Sequence, residues 1–121
     1  MKTIDFHDIH LGIDIGEQEA MVVALDASAQ LIGAQRFSLE DGSILADRIL
    51  SFAPPSRYTY YSISLTGAGV KSQIMPSRLS AKEIKTVPLH AAEELSGRVP
   101  EKYADFGLAF GAVLAMNPHL H

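Results

Sequence analysis

The sequence predicts an α/β fold built as one mixed sheet with helices packed on it. Three observations carry that reading. Three strand-like runs open the chain, joined by connectors of only a few residues. A short amphipathic stretch separates them from a fourth run rich in aromatic and β-branched residues. A nearly all-apolar stretch near the carboxyl end has the length of a buried helix. With 121 residues and no internal repeat or linker, the whole chain, 1–121, is expected to form a single domain.

The first run, Leu11-Gly12-Ile13-Asp14-Ile15-Gly16, alternates apolar with small or polar residues. The second, 20–26, is continuously apolar with β-branched residues at its centre, and the third, 30–39, alternates more loosely. Glu17-Gln18-Glu19 and Ala27-Ser28-Ala29 connect them. Connectors this short join antiparallel neighbours, because parallel strands need a crossover of about a dozen residues or more. Polar residues at 40–43 then precede Ile44, Leu45, Ile49, Leu50 and Phe52, the pattern of an amphipathic helix whose leading acids complement its dipole. Pro54 and Pro55 stop it. The fourth run, 58–65, is expected to return parallel to the first by a right-handed crossover. Residues 66–69 read as a turn and 70–75 as a short fifth strand.

Ser80 and Glu83 have the spacing of a capping box, so a helix is expected to start there and to break or restart at Pro88. The helical pattern resumes over 89–95, with Gly97 as its stop. The last helix is expected over 103–116, ended by Asn117-Pro118. Gly107 and Gly111 lie on one face of it, where two small residues allow close packing.

Composition narrows the function classes. A hydrophobic fraction of 47% is enough for a core and argues against a disordered chain. Fourteen acidic against ten basic residues give a formal charge of −4, the wrong sign for a domain that lives on nucleic-acid phosphates. The chain has 0 cysteines, which excludes disulfides, thiolate metal sites and cysteine nucleophiles. No run reaches the ~18 apolar residues of a membrane span. The start of the chain carries Asp5 and Asp8 where a signal peptide would be basic and then apolar. The expectation is a cytoplasmic protein without direct membrane insertion.

The sharpest local signal is Gly12-Ile13-Asp14-Ile15-Gly16, at the end of the first strand and running into a tight turn. A carboxylate there can hold a hydrated divalent ion, and the turn's amides beside Gly16 can approach an anion. Asp14, Gly16 and Glu17 are therefore the phosphate or metal candidates. The alternative use of Asp14 is as an ordinary Asx turn residue. Glu17 and Glu19 set two further negative charges beside the turn, which repel a phosphate unless a metal neutralises them. Elsewhere, His7 and His10 lie in a segment expected to fray, His119 and His121 lie at the chain end, and His90 is expected to face solvent. None is expected to hold a metal. No motif supplies a catalytic set.

From these residues onward the chain resembles the actin-like ATPase superfamily, in one of its RNase H-like halves. Within it, Leu11 to Gly16 followed by Met21-Val22-Val23-Ala24-Leu25 looks like the first hairpin of the PilM family, the cytoplasmic actin-like assembly proteins of type IV pili, and of its type II secretion relatives. Tyr103-Ala104-Asp105-Phe106-Gly107-Leu108-Ala109-Phe110-Gly111-Ala112 resembles that family's late Gly-Leu-Ala helix, and 70–94 matches its inserted strand-helix unit more weakly. A full actin-like ATPase clamps nucleotide between two such halves. This sequence has one Asp-x-Gly, no second phosphate hairpin, and Glu17 where the pattern places serine or threonine. The resemblance thus implies a reduced member or a fragment: a non-catalytic interaction module of an inner-membrane assembly platform, with Mg-ATP, weakly held by a half-site, as its candidate cofactor.

A rival reading shares the same opening. RuvC- and YqgF-type resolvases and some transposases also begin with Gly-Ile-Asp on a meander strand. Two-metal nuclease chemistry needs a second acid at the end of strand four and others on the last helix. Here strand four ends Ser62-Ile63-Ser64-Leu65-Thr66-Gly67, and the last helix offers only Asp105. The interaction reading instead points to the edge of the fourth or fifth strand, where Tyr58, Tyr60, Tyr61 and Met75 are residue types enriched at interfaces. A strand edge can accept a partner's extended segment by β-augmentation. The partner implied is a cytoplasmic segment of an inner-membrane assembly protein, or a second copy of the chain.

Overall fold

A computed structural model describes residues 9–38, 60–67 and 81–120. They form one mixed five-stranded sheet and two α-helices. The strands are β1 (His10–Ile15), β2 (Glu19–Leu25), β3 (Leu31–Ser38), β4 (Tyr60–Thr66) and β5 (Ala81–Thr86), in the spatial order β3-β2-β1-β4-β5. β1–β2 and β2–β3 pair antiparallel, while β1–β4 and β4–β5 pair parallel. The α/β class, the opening meander and the parallel return of the fourth strand therefore stand as the sequence predicts.

Alternation in β1 divides the sheet into two chemically different faces. Leu11, Ile13 and Ile15 join Ala20, Val22, Ala24, Phe37, Ile63 and Leu65 in an apolar core on one side. On the other side Val23 and Leu25 pack against Ala109, Phe110, Val113 and Leu114. Those four residues belong to α2 (Gly107–Met116), which lies between the sheet and α1 (Leu89–Ser96). A helix covered on both sides is apolar all round, as residues 107–116 are. The close approach depends on Gly12, where a Cβ would overlap the carbonyl oxygen of Ala109 and the Cγ2 of Val113.

Several expectations are corrected. Residues 81–86 are an edge strand, not a helix begun by a capping box at Ser80 and Glu83. Pairing with β4 outweighs the modest helix preference of Ala-Lys-Glu-Ile-Lys-Thr. Val87 precedes a proline and is thereby driven to an extended conformation, and its N–H extends the ladder by donating to the carbonyl of Leu65 at 2.6 Å. Pro88 then stands at the start of α1, where the helical pattern is expected to restart. The last helix begins later than expected. A 3-10 segment, Glu101–Phe106, precedes it, and Tyr103 there leaves helical geometry. Gly97 follows α1 as predicted, but with an ordinary right-handed conformation at φ −70°.

The helix expected at 44–52 and the strand expected at 70–75 lie outside the described residues. Among the described residues, no helix is long and apolar enough to cross a membrane.

Candidate functional site

His10, Gly12 and Asp14 share the face of β1 that meets α2, since residues two apart in a strand point the same way. The helix crosses above Gly12 and leaves Asp14 half-buried at the strand's carboxyl end. β1 then turns sharply into β2, and the turn closes through a hydrogen bond from the Gly16 N–H to the Glu19 carbonyl at 2.8 Å. Glu17 is exposed on that turn. Asp14 and Gly16 thus stand at the end of β1 and the start of the turn, with Glu17 exposed beside them.

β4 adds two residues that the sequence reading passed over. In the parallel register, Thr66 stands directly opposite Asp14. Residues opposite each other in a ladder share a face, so Thr66 and Asp14 lie on the same face of the sheet. Thr66 is 1% exposed, and its Oγ1 has no hydrogen-bond partner. Gly67 follows with φ 107°, a left-handed conformation that glycine adopts without penalty. A Cβ at Gly67 would stand 2.6 Å from Oδ1 of Asp14 and 2.8 Å from the Ile15 amide nitrogen. Gly67 therefore lies tightly against the end of β1. A strand that returns parallel must bring its carboxyl end beside that of its neighbour, where α/β sheets hold their ligands; that rule was the available signal for Thr66 and Gly67.

The electrostatics are acidic. Partial burial raises the proton affinity of Asp14 above the ordinary carboxylate value, and the charge of Glu19 raises it further. Glu19 is itself held by Arg36, with Nε 3.7 Å from Oε1, and Arg36 also reaches Oδ2 of Asp105 at 3.4 Å. Asp105 is thereby engaged in an exposed ion pair instead of completing an acidic cluster. Among the described residues, no three histidine, aspartate or glutamate side chains converge as a metal site. The arrangement suits one hydrated cation or an anion carried by one, and among the described residues it lacks the paired carboxylates of two-metal hydrolysis.

The remaining candidates fall out differently. Tyr60 and Tyr61 open β4, while Tyr58 and Met75 lie outside the described residues. β4 is flanked by β1 and β5, so it offers no edge for an added strand; among the described residues the sheet's edges are β3 and β5. His90 is exposed, as predicted. His10 does not lie in a frayed segment. It is 1% exposed inside β1, with Nδ1 2.8 Å from Oγ of Ser62. Ser62 also accepts from Nδ2 of Asn117 at 3.2 Å, and that amide donates to the Val113 carbonyl at 2.9 Å. The nearest hollow along β5, about 230 Å³ between Lys85, Pro88, Ala91 and Met116, is below the size of an ordinary small-molecule pocket.

No family model matches the chain, and no curated protein matches it. Solved structures do. The activator of the 2-hydroxyisocaproyl-CoA dehydratase from Clostridium difficile, with bound ADPNP, superposes with a TM-score of 0.54 at 15% identity over 77% of this chain. Component A of the (R)-2-hydroxyglutaryl-CoA dehydratase from Acidaminococcus fermentans superposes with a TM-score of 0.51 at 16% identity over 74% of this chain. The match covers 34% of each of those chains. At such identities the likeness is one of fold: an α/β unit with the architecture of part of an actin-like ATPase.

Proposed function

We propose that this chain is an actin-like interaction module, non-catalytic by itself, whose β1–β2 turn offers a weak half-site for the metal-bound phosphates of ATP. The observation that carries the reading is Asp14 at the carboxyl end of β1, between the Gly16 turn and Thr66-Gly67. The carboxylate can hold the water shell of Mg²⁺, and the turn amides can meet a phosphate oxygen. Two features support weak binding. Glu17 and Glu19 oppose an anion at the rim. The chain also corresponds to about a third of a nucleotide-bound structure with this fold, 34% of its length, and so supplies part of a clamp.

The finer assignment is to the inner-membrane assembly platform of a type IV pilus or type II secretion system. It is supported by the resemblance of residues 11–16, 21–25 and 103–112 to that family. The protein would then be cytoplasmic and held at the membrane through a cytoplasmic segment of its partner. The nuclease reading loses support from the Asp14–Thr66 register, which puts a neutral hydroxyl where the second metal-binding acid belongs.

Calorimetric titration with Mg-ATP tests the half-site. The expected dissociation constant is weaker than about 10 μM, near −7 kcal/mol, and Asp14→Ala abolishes the residual heat. Tighter binding would contradict the weak half-site. Cleavage of branched DNA with Mn²⁺, lost in Asp14→Ala, would replace the proposal with the nuclease reading.

A further inference from the structure

We infer that the outer edge of β5 pairs antiparallel with the β5 of a second copy of this chain, centred on Ile84, to make a symmetric dimer with a continuous sheet. The first observation is an apolar row across the sheet. Ala24, Leu11 and Ile63 stand opposite one another in successive strands, and the row ends at Ile84 on β5. Leu11 and Ile63 are 0% exposed and Ala24 is 2% exposed, whereas Ile84 is 46% exposed. Among the described residues no further strand lies beside Ile84, since β5 is last in the sheet order.

The second observation is the charge pattern around it. Glu83 and Lys85 flank Ile84 on the opposite face and are exposed. They now interact only loosely along their own strand, Nζ to Oε2 at 3.8 Å. Charged residues on an edge strand ordinarily discourage pairing, but these are self-complementary. In an antiparallel pair centred on Ile84, Glu83 of one copy stands opposite Lys85 of the other, twice by symmetry, and Ile84 stands opposite Ile84. Centring on Glu83 or on Lys85 would instead set like charges face to face, which is unfavourable. The charge pattern therefore selects both the partner and the register. An interface of this kind is isologous and closes on itself. Two six-residue strands bury little surface, so the association is expected to be weak and concentration-dependent.

Sedimentation of the full chain at rising concentration tests the dimer. The expected result is a shift from monomer to dimer, with Glu83→Lys and Lys85→Glu each dimerising about ten-fold more weakly, since two opposite-charge contacts become like-charge contacts. Both positions are exposed, and circular dichroism should show both variants folded. An equimolar mixture of the two variants should recover dimer, because each lysine then faces a glutamate across the pair. A wild-type chain that stays monomeric, variants that dimerise as well as wild type, or a mixture that fails to recover would each overturn the inference.

Discussion

Gly111 of α2 faces the carbonyl oxygen of Ala92 in α1 so closely that a Cβ at Gly111 would overlap it. One helical turn away, a Cβ at Gly107 would lie 3.2 Å from the Ser96 carbonyl oxygen. The two helices thus run antiparallel with their backbones nearly touching along a seam of small residues. Gly111→Ala is expected to force them apart at a cost of about 3 kcal/mol, at the upper end for overpacking. Gly97→Ala is the control: nothing stands within 4 Å of a Cβ there, and its φ of −70° suits alanine. That change should be neutral or stabilise by about 0.5 kcal/mol. Urea unfolding of both variants reads the contrast, and equal effects would contradict the packing.

Ala29 occupies a left-handed conformation, φ 66°, in the β2–β3 turn. Asp26 holds the turn by accepting from the Ser28 and Gln30 amides at 2.8 and 3.0 Å. A Cβ makes that conformation unfavourable by about 1 kcal/mol. Ala29→Gly should therefore raise the unfolding midpoint by about that energy, and a lower midpoint would count against the turn geometry.

Ser62 is the hinge of the buried polar contacts beneath α2. Removing its hydroxyl in Ser62→Ala leaves Nδ1 of His10 and Nδ2 of Asn117 each short of one partner. The expected loss is about 2 kcal/mol. Thr66→Val should act oppositely, stabilising by about 1 kcal/mol, because it replaces an unpartnered buried hydroxyl with a methyl group of similar size. Chemical denaturation of the two variants side by side checks both signs.

Asp14 gives the protein a pH dependence of definite sign. Burial and then Glu19 make the folded state hold the Asp14 proton more tightly than the unfolded chain does. The folded state therefore binds more protons than the unfolded state between those two affinities, and stability from this group falls as pH rises through that window. Asp14→Asn removes the dependence. Its stability should match wild type in acid and exceed it at neutral pH, as read from denaturation midpoints across the range. A difference that does not change with pH would contradict the assignment.

How far the sequence carried depended on which forces decided each element. The meander was legible because the connectors at 17–19 and 27–29 are too short for anything else, and β4 followed from its β-branched content. Residues 81–86 misled because their local preference is helical and their strand state is imposed by β4 from outside. Only the extended residue before Pro88 hinted otherwise. At the site, Asp14 and Gly16 were visible as a local pattern, whereas Thr66 and Gly67 acquire meaning only through the parallel register. His10 was misjudged for a related reason: its partners, Ser62 and Asn117, are distant in sequence and adjacent in space.

That last linkage has a kinetic consequence. The face of β1 that carries His10 and Gly12 is closed by α2, and Ser62 in β4 connects His10 to Asn117 just past the end of that helix. A chain emerging from the ribosome presents β1 early and α2 late. The meander can form during synthesis, but the face that carries His10 and Gly12 stays wet until α2 docks. Such long-range closure is slow compared with local pairing. Amides of β1 should therefore gain full protection from hydrogen exchange only after α2 has been released and folded down.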